Sequence, residues 1–171
     1  SWYGSAYDNN LSLSYKDPDR GEYGDITIGH EIGHALGLSH PHDAVGAFST
    51  VPSDWDGMEF SIMSYNSYIG QDGGGYANGT GSYAITPMML DIAALQFMYG
   101  ANWTHNGGNT VYTWDTATGA MSVNDVAGDG SVANIIFMTL WDGGGVDEYD
   151  LSNYTTDLAI DLTPGGWSDF D

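Results

Sequence analysis

The stretch His30-Glu31-Ile32-Gly33-His34-Ala35-Leu36-Gly37-Leu38-Ser39-His40 decides how the rest of this chain is read. Its pattern is H-E-x-x-H-x-x-G-x-x-H. On an α-helix, His30 and His34 stand one turn apart on the same face. Both imidazoles can therefore reach a single Zn²⁺ at ~2.0–2.1 Å. Glu31 projects beside them, placed to bond a water on the metal without ligating the ion. Gly37 takes positive φ without a Cβ penalty, so the helix can stop there and the chain turn back. That turn brings His40 to the same metal. Three protein ligands with a fourth position left to water describe a catalytic zinc site, since structural sites are closed by four. Three of the chain's five histidines fall inside this one motif, which an amphipathic helix with hydrogen-bonded histidines does not explain.

Working outward, the pattern predicts a helix over 25–37, capped by Asp25 or Thr27. Ile28, Ile32, Ala35 and Leu36 form an apolar stripe at 3–4 spacing that is expected to be buried behind the metal. Pro41 bars any resumption of helix, and His42 after it reads as an exposed bystander. A second helix is expected over 86–99, with Thr86 as cap and Pro87 at its first position. Met88, Ile92, Leu95 and Tyr99 repeat at helical spacing before Gly100 terminates it. Residues 1–24 read as an extended start at Trp2 and Tyr3 followed by a polar loop, and the Gly-rich run from Gly70 to Gly81 as a surface loop. Beyond Ala101 the period becomes that of strands, at 111–114, 134–141, 148–151 and 157–162. The domain division therefore falls at 1–100 and 101–171.

Composition narrows the partners. The chain has 171 residues and a formal net charge of −21, with Lys16 and Arg20 its only Lys or Arg side chains. Such a chain repels nucleic acid and anionic membrane, so neither is an expected partner. No cysteine occurs, which removes disulfides, a cysteine nucleophile and any thiolate metal site. No stretch reaches the ~18–20 apolar residues that span a membrane. The acids are spread along the chain, which suits cation binding and surface solvation alike. Asp142-Gly143-Gly144-Gly145-Val146-Asp147 in particular offers carboxylates together with glycine-turn carbonyls, the oxygen donors that Ca²⁺ takes.

The extended motif resembles that of the metzincin zinc endopeptidases. Ser61-Ile62-Met63-Ser64-Tyr65 is similar to the methionine turn that lies beneath the metal in that clan, with Met63 as its methionine. Pro41 after the third histidine and Tyr65 two residues after the methionine resemble the serralysin branch, peptidase family M10B. The similarity continues through Asp91-Ile92-Ala93-Ala94-Leu95-Gln96 and Tyr99-Gly100-Ala101-Asn102, then Trp141-Asp142-Gly143-Gly144 and Ser168-Asp169. It is tight at 22–42 and 60–65 and loose between.

That resemblance implies an α+β fold: the C-terminal part of a metzincin catalytic domain, followed by the beginning of a calcium-binding β-sandwich or β-roll domain. It implies a secreted, extracellular, monomeric endopeptidase acting on proteins or peptides. His30, His34 and His40 would hold one catalytic Zn²⁺, with Tyr65 as a further ligand that swings to the reaction's oxyanion and Glu31 as general base. One or more structural Ca²⁺ ions would take the Asn106 carbonyl, Gly108, Thr110, Asp142, Gly144 and Asp147. The family's G-G-x-G-x-D repeats do not occur here, which argues against a calcium-filled β-roll inside this chain. The family's N-terminal sheet and C-terminal repeats are expected to lie outside residues 1–171 as partners in the same polypeptide. Two rivals stay open: a metal-stabilised binding or structural module on a zincin scaffold, which has no use for Glu31, and a metallohydrolase of non-peptide bonds, which the methionine turn and Tyr65 disfavour.

Overall fold

The structure is a computed structural model that describes residues 13–71 and 75–170. The extended start expected at Trp2 and Tyr3 lies outside the described residues, as does the centre of the Gly70 to Gly81 run. Among the described residues, two α-helices precede a four-stranded sheet: α1 Tyr23–Ala35, α2 Met89–Tyr99, β1 Val111–Trp114, β2 Met121–Val123, β3 Val126–Ala127 and β4 Glu148–Asp150. A short 3₁₀ turn, Ser53–Trp55, lies between the helices. The fold is α+β.

α1 begins two residues before the expected start. Its N-cap is Glu22, which makes no side-chain cap bond. Asp25 instead reaches back, accepting from the Gly21 N–H at 3.1 Å and from Arg20 at 3.4 Å. Thr27 bonds the Tyr23 carbonyl at 2.7 Å. The helix ends as the glycine predicts. Gly37 has φ +97°, the Leu38 N–H bonds the Gly33 carbonyl (2.9 Å), and the Gly37 N–H bonds the His34 carbonyl (3.0 Å). This paired closure is a Schellman motif, and a Cβ at residue 37 would be strained in it.

The buried face of α1 is not the one the aliphatic pattern indicates. Ile26, His30 and Gly33 face the interior, whereas Ile32 is 54% exposed and Ala35 and Leu36 are exposed too, with Ile28 half-buried. The core packed against the helix consists of Met58, Ile62, Met63, Tyr83, Ala84 and Met88, flanked by Tyr23, Leu38, Tyr76 and Phe137. The methionine turn approaches so closely that the inward positions must be a glycine and a hydrogen-bonded histidine. The stripe of larger aliphatics lies on the other side.

α2 starts at Met89, not at residue 86. Thr86 does not cap it, because its hydroxyl accepts the Thr139 N–H at 2.9 Å. Asp91 takes the capping role, accepting the Met88 N–H at 2.8 Å. The same carboxylate, 2% exposed, accepts the Ser61 hydroxyl (2.6 Å) and the Ile62 N–H (2.8 Å). Burial pushes the Asp91 carboxyl up, against the three bonds that hold it down. α2 ends at Gly100, φ +85°. Tyr99, counted in the apolar repeat, is exposed, and its hydroxyl bonds the Leu36 carbonyl at 2.7 Å.

The sheet has the order β3-β2-β1-β4, antiparallel except for the parallel β1/β4 pair. Tyr112 and Trp114 alternate inward from β1 and meet Tyr149, with Phe170 beyond. β2 and β3, absent from the pattern reading, are joined through Asn124 and Asp125, both at positive φ. A two-residue turn of that kind matches the twist of paired strands. The strand expected at 134–141 does not form. Ile85 bonds the Phe137 carbonyl at 2.9 Å and Thr86 pairs with Thr139, but Pro87 has no N–H to extend a ladder. The strand expected at 157–162 reduces to one bridge between Ala159 and Asp169, and that at 148–151 stops at Asp150.

Replacing Asp91 by Ala leaves two backbone N–H groups and a hydroxyl buried without an acceptor. We expect Asp91→Ala to lower the unfolding free energy by about 3 kcal/mol or more. Denaturant titration of the full-length protein checks this, and a loss below about 1 kcal/mol contradicts it.

Candidate active site

Three imidazoles converge at the C-terminal end of α1. The ring of His30 lies 4.7 Å from that of His34 and 5.3 Å from that of His40. One nitrogen from each falls within 4.8 Å of the others. Each ring is oriented through its other nitrogen. His30 Nδ1 bonds the Ile62 carbonyl (2.8 Å), His34 Nδ1 bonds the Leu38 carbonyl (2.9 Å), and His40 Nδ1 bonds Asp43 Oδ2 (2.8 Å). Carbonyls and carboxylates only accept, so each ring donates from Nδ1, and in its neutral form each leaves Nε2 free to ligate. The bare nitrogens of His34 and His40 stand 3.1 Å apart. Two lone pairs that close repel without a cation between them. Two nitrogens bound tetrahedrally at ~2.0–2.1 Å from one ion would be ~3.3 Å apart. The donor set therefore fits a single tetrahedral cation of zinc type.

Burial, helped by the neighbouring rings of His34 and His40, pushes the His30 imidazole below its ordinary pKa, against the Ile62 carbonyl that raises it. A neutral ring is the form that offers a lone pair. The Asp43 carboxyl is held below its usual range by the bond from His40. This carboxylate–histidine pair fixes tautomer and ring orientation, as outer partners of metal-bound histidines do. Asp43 and Asp91 are the site residues that motif reading passed over. An acid three positions after the third histidine, and an acid opening an apolar helix, were the available signals.

The methionine turn sits directly beneath. Met63 is 1% exposed, and a Cβ added at Gly33 would lie 2.5 Å from its Sδ. Tyr65 is exposed, its ring nearly parallel to His30 (17°, 5.6 Å) and 4.5 Å from His40. Glu31 lies on the exposed side of α1 next to His30. His42 is exposed, as expected, but its ring is parallel to His40 at 5.2 Å.

A second cluster gathers the residues named for calcium. The Thr110 hydroxyl lies 3.2 Å from the Asn106 carbonyl and 3.1 Å from that of Gly108. The Thr110 N–H donates to Asp147 (2.9 Å), and Asp142 accepts the Tyr112 hydroxyl (2.5 Å) and the Gly144 N–H (2.7 Å). The Gly143 N–H bonds the His105 carbonyl at 2.8 Å, closing loop 142–147 onto loop 105–110. Burial and the bond to Asp142 push the Tyr112 phenol up to about 12. Hard oxygen donors from two loops meet here, a set that fits Ca²⁺ and not a soft metal.

Comparison with known proteins agrees with this arrangement. Residues 3–86 match the family model described as metallo-peptidase family M12B, reprolysin-like, and residues 101–171 match the model described as peptidase M10 serralysin C terminal. Both models describe metallopeptidases. Serralysin C of Dickeya chrysanthemi is 39% identical over 99% of this chain and 34% of its own length. Serralysin of Proteus mirabilis is 40% identical over 89% of the chain and 30% of its own. Metallopeptidase AprA of Pseudomonas marginalis is 36% identical over 99% and 35%. The chain belongs to the serralysin-type M10 zinc metalloproteases and spans about a third of the length of the curated relatives it matches. No helix among the described residues is long and apolar enough to cross a membrane.

The Gly33–Met63 contact gives a test of how tightly helix and turn are matched. Gly33→Ala is expected to destabilise the protein by about 1–3 kcal/mol, the range for overpacking a filled core. Thermal melts would show it, and an unchanged midpoint would contradict so close an approach.

Proposed function

We propose that this chain supplies the active-site half of a secreted zinc endopeptidase that hydrolyses peptide bonds in proteins. The observation that carries the reading is the set of three imidazoles, each donating from Nδ1 and together bringing one nitrogen apiece within 4.8 Å of the others, beside an exposed Glu31. His30, His34 and His40 would hold Zn²⁺, which when bound supplies Lewis acidity and lowers the pKa of a water to ~7. Glu31 takes a proton from the attacking water and passes it to the leaving amine. Tyr65 lies over the histidine rings and donates its phenol proton to the scissile carbonyl oxygen as negative charge develops there, a contact of the kind worth ~2.7–4 kcal/mol. Met63 packs beneath and touches no substrate. Residues 1–100 form the catalytic part and 101–171 the start of a β domain, a division supported by the family match that begins at 101. Protein or peptide substrates, an extracellular setting and a monomer follow from the same reading.

Glu31→Gln tests it. The variant should keep its zinc, because Glu31 is no ligand, while kcat falls by about 10²–10⁴-fold on a protein substrate such as casein. Turnover within about tenfold of the parent would contradict the assignment, and so would loss of the metal.

The second cluster would hold one structural Ca²⁺ through the carbonyls of Asn106, Gly108 and Gly144, with Thr110, Asp142 and Asp147. A ligand bound only by the native state stabilises by mass action, by about 2.7 kcal/mol at a hundred times its Kd. Calcium should raise the thermal midpoint of the full-length protein, and Asp142→Ala and Asp147→Ala should each reduce that rise. An equal rise in parent and both variants would place the ion elsewhere.

A further inference from the structure

The rim of the three-histidine centre carries one imidazole, that of His42, which peptide hydrolysis leaves unused. Pro41 is buried, and the Asp43 N–H bonds the His40 carbonyl at 3.1 Å. This tight turn brings His42 and Asp43 to the same side as His40. One ligand atom from each of the three lies within 4.8 Å of the others. The His42 ring is stacked on His40 with 1° between their planes, and its Nδ1 is 3.7 Å from Asp56 Oδ2. The His42 imidazole and the Asp43 carboxylate thus stand together outside the zinc position, with Asp56 next to His42.

We propose that the turn 40–43 binds a second divalent cation, held by the His42 imidazole and the Asp43 carboxylate with Asp56 alongside. Mixed nitrogen and oxygen donors select borderline metals such as Zn²⁺, Co²⁺, Ni²⁺ or Cu²⁺ over Ca²⁺. The His42 and Asp43 side chains are 36% and 56% exposed, so the ion has direct entry from solvent. Asp43 can serve both neighbours, since a carboxylate has about four lone-pair sites and the bond from His40 uses one. The site is the weaker of the two, with fewer protein donors, and fills only when metal is in excess.

Occupancy has a consequence for catalysis, which rests on the zinc reading above. The ion draws charge from the carboxylate that orients His40. It also sits beside Tyr65, whose ring is 5.2 Å from that of His42. Excess metal is therefore inhibitory, and the inhibition belongs to His42.

The test uses full-length protein stripped with chelator, held in saturating calcium and titrated with Co²⁺ by equilibrium dialysis and visible absorption. The parent should bind one more cobalt equivalent than His42→Ala. The variant should keep the tighter equivalent and its activity at stoichiometric zinc, and should need at least about tenfold more zinc for the same inhibition. A His34→Ala companion should lose the tighter equivalent and keep the weaker one. Equal stoichiometry in parent and His42→Ala overturns the proposal, as does unchanged inhibition by excess zinc. Survival of the tighter equivalent in His34→Ala would instead count against the three-histidine centre, leaving the second site to be judged on His42→Ala alone.

Discussion

The buried carboxylate of Asp91 joins the parts on which the site depends. It caps α2 through the Met88 N–H, fixes Ser61 and holds the Ile62 N–H. The other end of that peptide segment, the Ile62 carbonyl, accepts from His30 Nδ1 and turns the far side of the ring to His34 and His40. One acid thus links a helix start, the methionine turn and His30 through consecutive hydrogen bonds. Its desolvation is tolerated because three donors meet it, and losing any of them leaves a buried polar group unpaired. His30 is thus held from below by Ile62 and, through it, by Asp91.

The other two histidines are set by chain reversal. The Schellman closure at Gly37 turns the backbone so that the Leu38 carbonyl meets His34 Nδ1, and it carries His40 back beside the helix. Asp43 then orients His40 from the solvent side. Backbone, backbone and carboxylate each consume one Nδ1 proton, and the result is the same tautomer three times. Three lone pairs directed to one point are unfavourable alone and favourable around a cation.

Much of this site was legible in the sequence because its spacing is helical. His30, Glu31, His34, Gly37 and His40 are local in the chain, so periodicity and one glycine suffice to place them. Met63 and Tyr65 came only through resemblance, since no local rule says that residues 61–65 fold under residues 30–34. The roles of Asp43 and Asp91 depend on contacts that pattern does not encode. The aliphatic stripe misled for a physical reason: close approach of the turn favoured Gly33 and His30 on the inner face, and hydrophobicity does not register either. The strand reading at 134–141 failed through pairing. That segment bonds Ile85 and Thr86, but Pro87 has no N–H to continue the ladder. β2 and β3 were missed because a two-residue Asn124-Asp125 turn joins strands too short to show alternation.

The charge of −21 is a constraint on the whole molecule, and the clusters around Asp142/Asp147 and the three histidines are where cations would relieve it most directly. The most direct measurement of the central claim is anomalous scattering at the zinc edge from crystals of the full-length protein loaded with one equivalent of zinc. The account predicts one peak bound by Nε2 of His30, His34 and His40, each at ~2.0–2.1 Å, with every Nδ1 still on its carbonyl or carboxylate. A peak bound through Nδ1, or one away from these three rings, would contradict it.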